Sequence, residues 1–325
     1  MKMTRKRVAG CAMVLATVGM LSACELGEPT TRIDVGHVDV FAVAVEDDGQ
    51  FFVHVHDEET DEELLPGDVL LQALPESKTQ VPADPDFAFL GAPGADTWIL
   101  PQVQDPELLW PGVGTEEIEP GVLVGDELTW SFDAIAGPGD LAVFTTDPFG
   151  VPDVLLNSAD GLSDSVAVPA GAHQHANWAF SAPGRYVLEF RATGIRAADN
   201  VPIDSGPVYY HFVVDDYECA DVDGTTAAPN PVLGGSSVTL AYDLSNCGSI
   251  DATFDVSAII DAPPACGGGS TTVALRTESQ SPGDSAAFSD TITAPACAGV
   301  HQVTVTVTSG ASTDSFGSRT DLTVS

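Results

Sequence analysis

Two histidine pairs carry the clearest chemistry in this sequence. His54 and His56 form one His-x-His pair, His173 and His175 form another, and together they account for four of the seven histidines in the chain. Successive side chains on a β-strand point to opposite faces, so the two imidazoles of each pair share a face and can bind the same metal ion. We therefore take these four histidines as candidate metal ligands.

The first pair lies in a predicted β-hairpin. Alternating apolar residues run through 35–45 and 50–56, and Asp48-Gly49 between them is typical of a two-residue turn, because both positions tolerate positive φ. This turn predicts two cross-strand pairs, Val43 with His54 and Phe41 with His56.

The hairpin offers two further ligands. Period-two alternation puts His37 and Asp39 on the face of His54 and His56, although a one-residue shift would separate the two sets. We expect both histidine pairs to converge on one divalent metal, with His37 or Asp39 completing the site. Imidazole and carboxylate favour zinc, with manganese and copper as alternatives.

The composition argues against two other classes of function. The chain has 11 Lys+Arg against 48 Asp+Glu, a net charge of -37, and such a surface repels nucleic acid. The sequence contains no nucleophile elbow, phosphate-binding loop or His-Glu-x-x-His helix, so we predict a non-enzymatic protein. The acidic stretch 57–68 is for the most part typical of a solvated loop, but an acidic loop beside a histidine pair can supply carboxylate ligands, and Asp57 stays open as one.

The N-terminus predicts export and a lipid anchor. Residues 1–24 combine a basic start with an apolar stretch that is short for a membrane span, and they end in Leu-Ser-Ala-Cys. This ending resembles the lipobox of bacterial lipoproteins, which implies that Cys24 is lipidated and begins the mature chain. Residues 25–32 are expected to form a tether, with ordered structure from Ile33.

The remaining sequence predicts an all-β protein, with two β-sandwich domains behind the lipoprotein signal peptide. Frequent prolines and glycines in 82–120 exclude long helices. We expect Trp98 and Trp110 in this segment to pack in the core, although they could instead line a sugar or peptide groove. A lone histidine in a strand, such as His211, is more often a core or edge residue than a ligand.

Several motifs in one order give residues 33–217 a family resemblance. They are Gly36-His-Val-Asp-Val40, His54-Val-His56, Phe87-Ala-Phe-Leu-Gly91, Trp98-Ile-Leu-Pro-Gln102, Leu109-Trp-Pro-Gly112, Asp160-Gly161, His173-Gln-His-Ala-Asn-Trp-Ala-Phe180, Pro183-Gly184 and Ser205-Gly-Pro207. Together they resemble the choice-of-anchor M domain of actinobacterial surface-anchored proteins. The resemblance implies a β-rich envelope domain whose relatives are often encoded beside metal-type ABC transporters. Carried over residue by residue, the family's histidine motifs correspond to His37, His54, His56, His173, His175 and the nearby Trp178. Many relatives have a C-terminal wall-sorting signal, and this chain has a lipobox in its place, which changes the mode of anchoring.

Residues 218–325 form a second predicted domain. Short strands at near-regular spacing, separated by turn residues, indicate a β-sandwich. This part is similar to the immunoglobulin-like cell-adhesion-related domain of bacteria, whose members usually act as spacers or interaction surfaces.

Four cysteines lie in this second domain. An even number in an exported chain predicts disulfides, and four cysteines allow three connectivities. A four-thiolate zinc site is the rival, but the wide spacings contain no Cys-x-x-Cys. Sequence proximity favours Cys219 with Cys247 and Cys266 with Cys297.

These observations predict a cell-surface lipoprotein that binds a divalent transition metal and, by the resemblance, supports uptake by an ABC transporter. Its expected partners are transporter components or other envelope proteins, and the membrane through the lipid anchor. The alternative is an adhesion module that binds carbohydrate or protein through its aromatic loops.

Overall fold

The protein is built almost wholly from β-strands, which confirms the all-β class. The computed structural model describes residues 29–309 and 315–325. The predicted signal peptide, the lipidation site Cys24 and tether residues 25–28 lie outside the described residues. Within those ranges, no helix combines the length and apolar character that crossing a membrane requires.

The strands fall into two groups along the chain. Those before residue 217 are β1 (Thr31–Ile33), β2 (Gly36–Val45), β3 (Phe51–Asp57), β4 (Glu62–Leu64), β5 (Val69–Ala73), β6 (Lys78–Gln80), β7 (Asp96–Leu100), β8 (Leu109–Gly114), β9 (Glu127–Ala136), β10 (Leu141–Thr146), β11 (Pro152–Asn157), β12 (Asp164–Pro169), β13 (His173–His175), β14 (Asn177–Phe180), β15 (Gly184–Ile195), β16 (Pro202–Asp204) and β17 (Val208–Val214). Those after it are β18 (Ala220–Ala228), β19 (Ser237–Asn246), β20 (Ala252–Asp261), β21 (Ser270–Gln280), β22 (Ser285–Thr293), β23 (Gly299–Ser309), β24 (Ser315–Phe316) and β25 (Ser318–Val324). Short 3-10 helices span Pro66–Asp68, Pro75–Ser77, Pro85–Leu90, Val124–Asp126, Ser158–Asp160 and Pro264–Cys266.

The first group forms three sheets around a main hydrophobic core, with a smaller apolar cluster beside it. Their strand orders are β1-β5-β17-β15-β9-β12 with β16 beside β15, β11-β10-β14-β7-β6, and β13-β8-β2-β3-β4. In β15 every second side chain is buried, which is the alternation that places one face of a strand in a core. Trp130, Trp178 and Phe190 contact one another there. This part is therefore more elaborate than a two-sheet sandwich.

Trp98 and His211 of this group lie in the core, as the sequence predicts. Trp98 is 3% exposed and packs in the core, and its Nε1 donates to Asp215 Oδ2 at 2.8 Å. His211 is 2% exposed within β17. Both are core residues.

The first strand begins slightly earlier than expected. Thr31 and Arg32, assigned to the tether from sequence, belong to β1 and pair in parallel with Val69 and Leu70 of β5. Ile33 is buried in the core, and this anchor holds the two preceding residues against an otherwise open strand edge. The predicted tether is thus shortened at its C-terminal end.

The second group forms a β-sandwich. Two four-stranded sheets, β22-β19-β18-β24 and β21-β20-β23-β25, enclose their own hydrophobic core. The predicted boundary at residue 217 falls between the two cores. Disulfides join Cys219 to Cys247 and Cys266 to Cys297, the pairing that sequence proximity favours. Each typically contributes about 2–4 kcal/mol to stability, and both indicate an oxidising environment.

The hairpin β2–β3 forms, but its predicted register is wrong. The Glu46 N–H donates to the Gln50 carbonyl oxygen and the Gly49 N–H donates to the Glu46 carbonyl oxygen, which closes a three-residue turn in which Gly49 has a φ of 76°. The extra turn residue shifts the pairing by one position, so His54 faces Ala42 instead of Val43.

A β-bulge in β2 adds to this shift. The register changes between Asp39 and Ala42, where three steps along β2 match two along β3. His56 consequently pairs directly with Asp39 instead of Phe41, and Asp39 remains on the histidine face. The two changes add up to a shift of two residues, and the predicted sharing of one face survives because side chains alternate with a period of two.

Candidate metal site

The candidate site lies on the sheet β13-β8-β2-β3-β4, which brings residues from distant segments together. His173 and His175 of β13 pair with Gly114 and Gly112 of β8. From the other side of β8, Asp39 of β2 pairs in parallel with Gly112. Because glycine has no side chain, the β13 histidines and the Asp39 carboxylate can meet above β8.

The two glycines of β8 leave the space that the Asp39 carboxylate fills. A Cβ atom at Gly112 would overlap Asp39 Oδ1, and one at Gly114 would overlap Asp39 Oδ2. Neither glycine has a positive φ. Glycine is thus needed at both positions for steric reasons, because a side chain at either one would displace the Asp39 carboxylate.

Three imidazole nitrogens and one carboxylate oxygen converge in this space. His173 Nε2 lies 3.1 Å from His37 Nε2, 3.1 Å from His175 Nε2 and 3.1 Å from Asp39 Oδ1. The ligand atoms of the four residues all lie within 4.8 Å of one another. A tetrahedral zinc with bonds of about 2.0 Å separates its ligand atoms by about 3.3 Å. The group, called the three-histidine site below, can therefore hold a metal ion.

Outer contacts orient two of the imidazoles. His175 Nδ1 lies 3.0 Å from the Pro111 carbonyl oxygen, and His173 Nδ1 lies 2.5 Å from Glu116 Oε1. Since a carbonyl or carboxylate oxygen can only accept, both Nδ1 atoms donate. Such contacts are typical of metal-binding histidines, because they fix the tautomer in which Nε2 offers a lone pair.

This tautomer makes the cluster a cation site. The neutral forms of His173 and His175 direct two Nε2 lone pairs at each other across 3.1 Å. Two lone pairs at that separation repel each other. A cation between them, either a proton or a metal ion, removes the repulsion by binding both. Metal binding therefore competes with protonation of the cluster.

The Asp39 carboxylate adds negative charge at a buried position. Asp39 is 2% exposed, and its Oδ1 has no hydrogen-bond partner in the described part of the chain. Burial raises the pKa of its carboxyl above the ordinary value, against the opposing effect of nearby His173. A buried carboxylate oxygen without a hydrogen bond is costly, and a bound cation would relieve that cost.

Trp110 forms one wall of the site, which corrects its predicted place in the core. It is half-buried, and its ring stacks on His175 with 3.6 Å between centroids and lies tilted against His37 with 4.6 Å between centroids. Burial lowers the pKa of His175 to about 4, and the positive charge of His37 acts in the same direction. His175 thus remains in the neutral, ligand form at neutral pH.

The structure does not bring all four predicted histidines together. His54 lies in a separate group with Glu63 and Glu117, and its Nε2 is 3.2 Å from Glu117 Oε1. His56 faces Glu58 and Asp61 at 3.5 and 3.6 Å. The reason is the width of the sheet, because β8 and β2 lie between β13 and β3.

Sequence reasoning missed the partners that complete the site. Glu116 orients His173, Trp110 stacks on His175, and Gly112 and Gly114 make room for Asp39. The Gly-x-Gly followed by Glu116-Glu117 is visible in the sequence. Its meaning depends on the parallel pairing of β8 with β2, which links segments about seventy residues apart and has no local signature.

Comparisons with known proteins do not identify the chain. No protein-family model and no curated protein matches it. Among solved structures it is similar to a Bacteroides uniformis beta-glucuronidase, at 14% identity and a TM-score of 0.27, over 70% of this chain and 26% of that one. It is also similar to the sporulation control protein Spo0M of Bacillus subtilis, at 14% identity and a TM-score of 0.24, over 33% of this chain and 49% of that one. The alkylpurine DNA glycosylase AlkC of Pseudomonas fluorescens gives 17% identity and a TM-score of 0.26, over 32% and 30%. The chain matches at most about half of each neighbour, and membership in the choice-of-anchor M family stays a prediction.

Proposed function

We propose that this protein is a non-enzymatic cell-surface lipoprotein that binds a divalent transition metal, with zinc as the preferred ion. The ligands are His37, Asp39, His173 and His175. One observation carries the proposal: three Nε2 atoms and a buried carboxylate oxygen without a hydrogen bond cluster together, with His173 Nε2 3.1 Å from each of the other three.

The ligand set favours zinc over its competitors. Three imidazoles and one carboxylate suit zinc, whereas manganese prefers mostly oxygen ligands and copper(II) prefers a tetragonal arrangement. The outer contacts of His173 and His175 pre-orient two ligands, which lowers the entropic cost of binding.

The number of protein ligands supports binding rather than catalysis. Catalytic zinc sites usually keep one position open for water or substrate, whereas four protein ligands close the tetrahedron. The three-histidine site supplies four. The proposed role is therefore to capture a metal ion for delivery, with components of a metal-type ABC transporter or other envelope proteins as partners, as the family resemblance implies.

The proposed location depends on the lipobox. Replacing Cys24 with alanine is expected to release the protein from the membrane, because Cys24 is the only residue of that motif that can carry the lipid. Metabolic labelling with a fatty acid tests this expectation, and equal labelling of the parent and the variant would contradict it.

Direct titration tests the metal proposal. Zinc added to the purified full-length chain is expected to bind tightly with one equivalent at the three-histidine site, and cobalt(II) at that site should show the intense visible absorption of tetrahedral coordination. Isothermal titration calorimetry measures zinc binding, and absorption spectroscopy measures the coordination of cobalt(II). The absence of tight zinc binding, or an octahedral cobalt spectrum, would contradict the proposal.

The pH dependence has a defined sign. Neutral imidazole is the ligand, so zinc affinity should fall as the pH decreases through the ordinary histidine pKa of about 6.5. His175 contributes little to this loss because its pKa is lowered to about 4 by burial. An affinity that rose on acidification would be inconsistent with histidine ligands.

A further inference from the structure

A second cluster of metal-binding side chains lies on the same face of the sheet, two strands away from β8. His54 of β3, Glu63 of β4 and Glu117 of the loop after β8 each offer one ligand atom, and these atoms lie within 4.8 Å of one another. None of the three belongs to the three-histidine site.

Two of these residues, Glu63 and Glu117, line an acidic pocket. A cavity of about 320 Å³ is lined by Ala42, Val43, Gly114, His56 and six acids, which are Asp39, Glu58, Asp61, Glu63, Glu116 and Glu117. The described lining contains no lysine or arginine. Six carboxylates around one cavity attract cations, but solvated acids are common on a chain of net charge -37.

The buried His54, which contacts Glu117 of the pocket lining, distinguishes this cluster from an ordinary acidic surface. His54 is 0% exposed, and its Nε2 has no hydrogen-bond partner in the described part of the chain. That nitrogen lies 3.2 Å from Glu117 Oε1. A fully buried imidazole nitrogen without a hydrogen bond is costly, and a cation shared with Glu117 would satisfy it.

We propose that His54, Glu63 and Glu117 form a second divalent-cation site. One imidazole and two carboxylates make a harder ligand set than three imidazoles and one carboxylate, so this site takes a manganese-type cation and leaves positions for water. Because Glu63 and Glu117 are exposed, the cation exchanges readily with solvent.

The second site adjoins the first. Asp39 of the three-histidine site lines the acidic pocket, and it pairs across the strands with His56. Glu116 orients His173 of one site, while its neighbour Glu117 belongs to the other. The acidic pocket therefore extends from Glu63 and Glu117 of the second site to the Asp39 carboxylate of the first.

Manganese binding to zinc-treated protein tests the second site. Loss of the free manganese(II) signal in electron paramagnetic resonance measures binding to the full-length chain after treatment with one equivalent of zinc. We expect the parent to bind one manganese ion. Glu63→Gln/Glu117→Gln should weaken this binding by at least about tenfold and leave zinc affinity at the three-histidine site within about threefold. Both side chains are exposed, so the substitutions do not disturb the core.

A matched control removes the same charge elsewhere. Glu59→Gln/Glu62→Gln alters two exposed acids of the neighbouring turn and strand that do not line the pocket. This variant should bind manganese as the parent does. Equal weakening in both variants, or no manganese binding by the parent, would overturn the second site. Zinc titration of the same samples reports on the three-histidine site separately, so failure of one proposal is distinguishable from failure of the other.

Discussion

Replacing His173 and His175 together with alanine is expected to weaken zinc binding by about 1,000-fold or more. The double substitution removes two of four converging ligands, together with the outer contacts that orient them. Loss of an outer contact alone typically costs about 10–100-fold, so loss of two direct ligands should cost more. A factor of 1,000 corresponds to about 4 kcal/mol of binding free energy. Competition with a chromogenic chelator measures affinities over this range.

The neighbouring Gln174 supplies the matched control. It lies between the two histidines on β13, and alternation along the strand directs its side chain to the other face. Gln174→Ala should leave zinc affinity unchanged. The fold should also tolerate the double substitution, because β13 is an edge strand and both histidines lie outside the hydrophobic core. Equal affinities of the parent and the double variant would place zinc elsewhere and favour the adhesion alternative.

The two histidine pairs show how far sequence patterns reach. Alternation along a strand correctly predicts that the side chains of His173 and His175 lie on one face and close together, because the period of two is a local property. It cannot predict which strands lie side by side. His54 and His56 therefore belong to the same sheet face but not to the same ligand group, since two strands separate β3 from β13.

The hairpin shows why register is harder to predict than strand type. Asp48-Gly49 indicates a turn, and the hairpin forms around it. A two-residue and a three-residue turn both accept glycine at a positive φ, however, so the local sequence does not choose between them. The bulge between Asp39 and Ala42 adjusts β2 to both of its neighbours at once, and that constraint is non-local.

Trp110 shows that burial in the core is also hard to predict from local sequence. A tryptophan between leucine and proline is expected in a core, because aromatic side chains dominate buried surfaces. Its ring instead covers His37 and His175. Only the pairing of β8 with both β2 and β13 places it there.

Replacing Asp39 with asparagine is expected to change metal affinity and metal-free stability in opposite directions. The carboxylate is 2% exposed, its Oδ1 has no hydrogen bond in the described residues, and it faces the Nε2 atoms of His37 and His173 at 3.6 and 3.1 Å. An asparagine amide has nearly the same shape, carries no charge and can donate to an imidazole lone pair. The metal-free variant should therefore gain stability on the order of 1 kcal/mol. Urea unfolding of the metal-free protein, followed by tryptophan fluorescence, measures this gain.

The same substitution removes a direct ligand, so zinc affinity should fall by at least about 100-fold. A ligand that binds only the folded state stabilises it by about 2.7 kcal/mol at a concentration of 100 times Kd. Saturating zinc should consequently reverse the order of stability, making the parent more stable than Asp39→Asn. Asp153→Asn, which removes one charge from an exposed position on β11, should change neither stability nor affinity. If Asp39→Asn destabilised the metal-free protein and left zinc affinity intact, Asp39 would be a structural residue. A reversal of the stability order on adding zinc would instead show that the Asp39 carboxylate destabilises the metal-free protein and stabilises the zinc-bound protein by binding the metal.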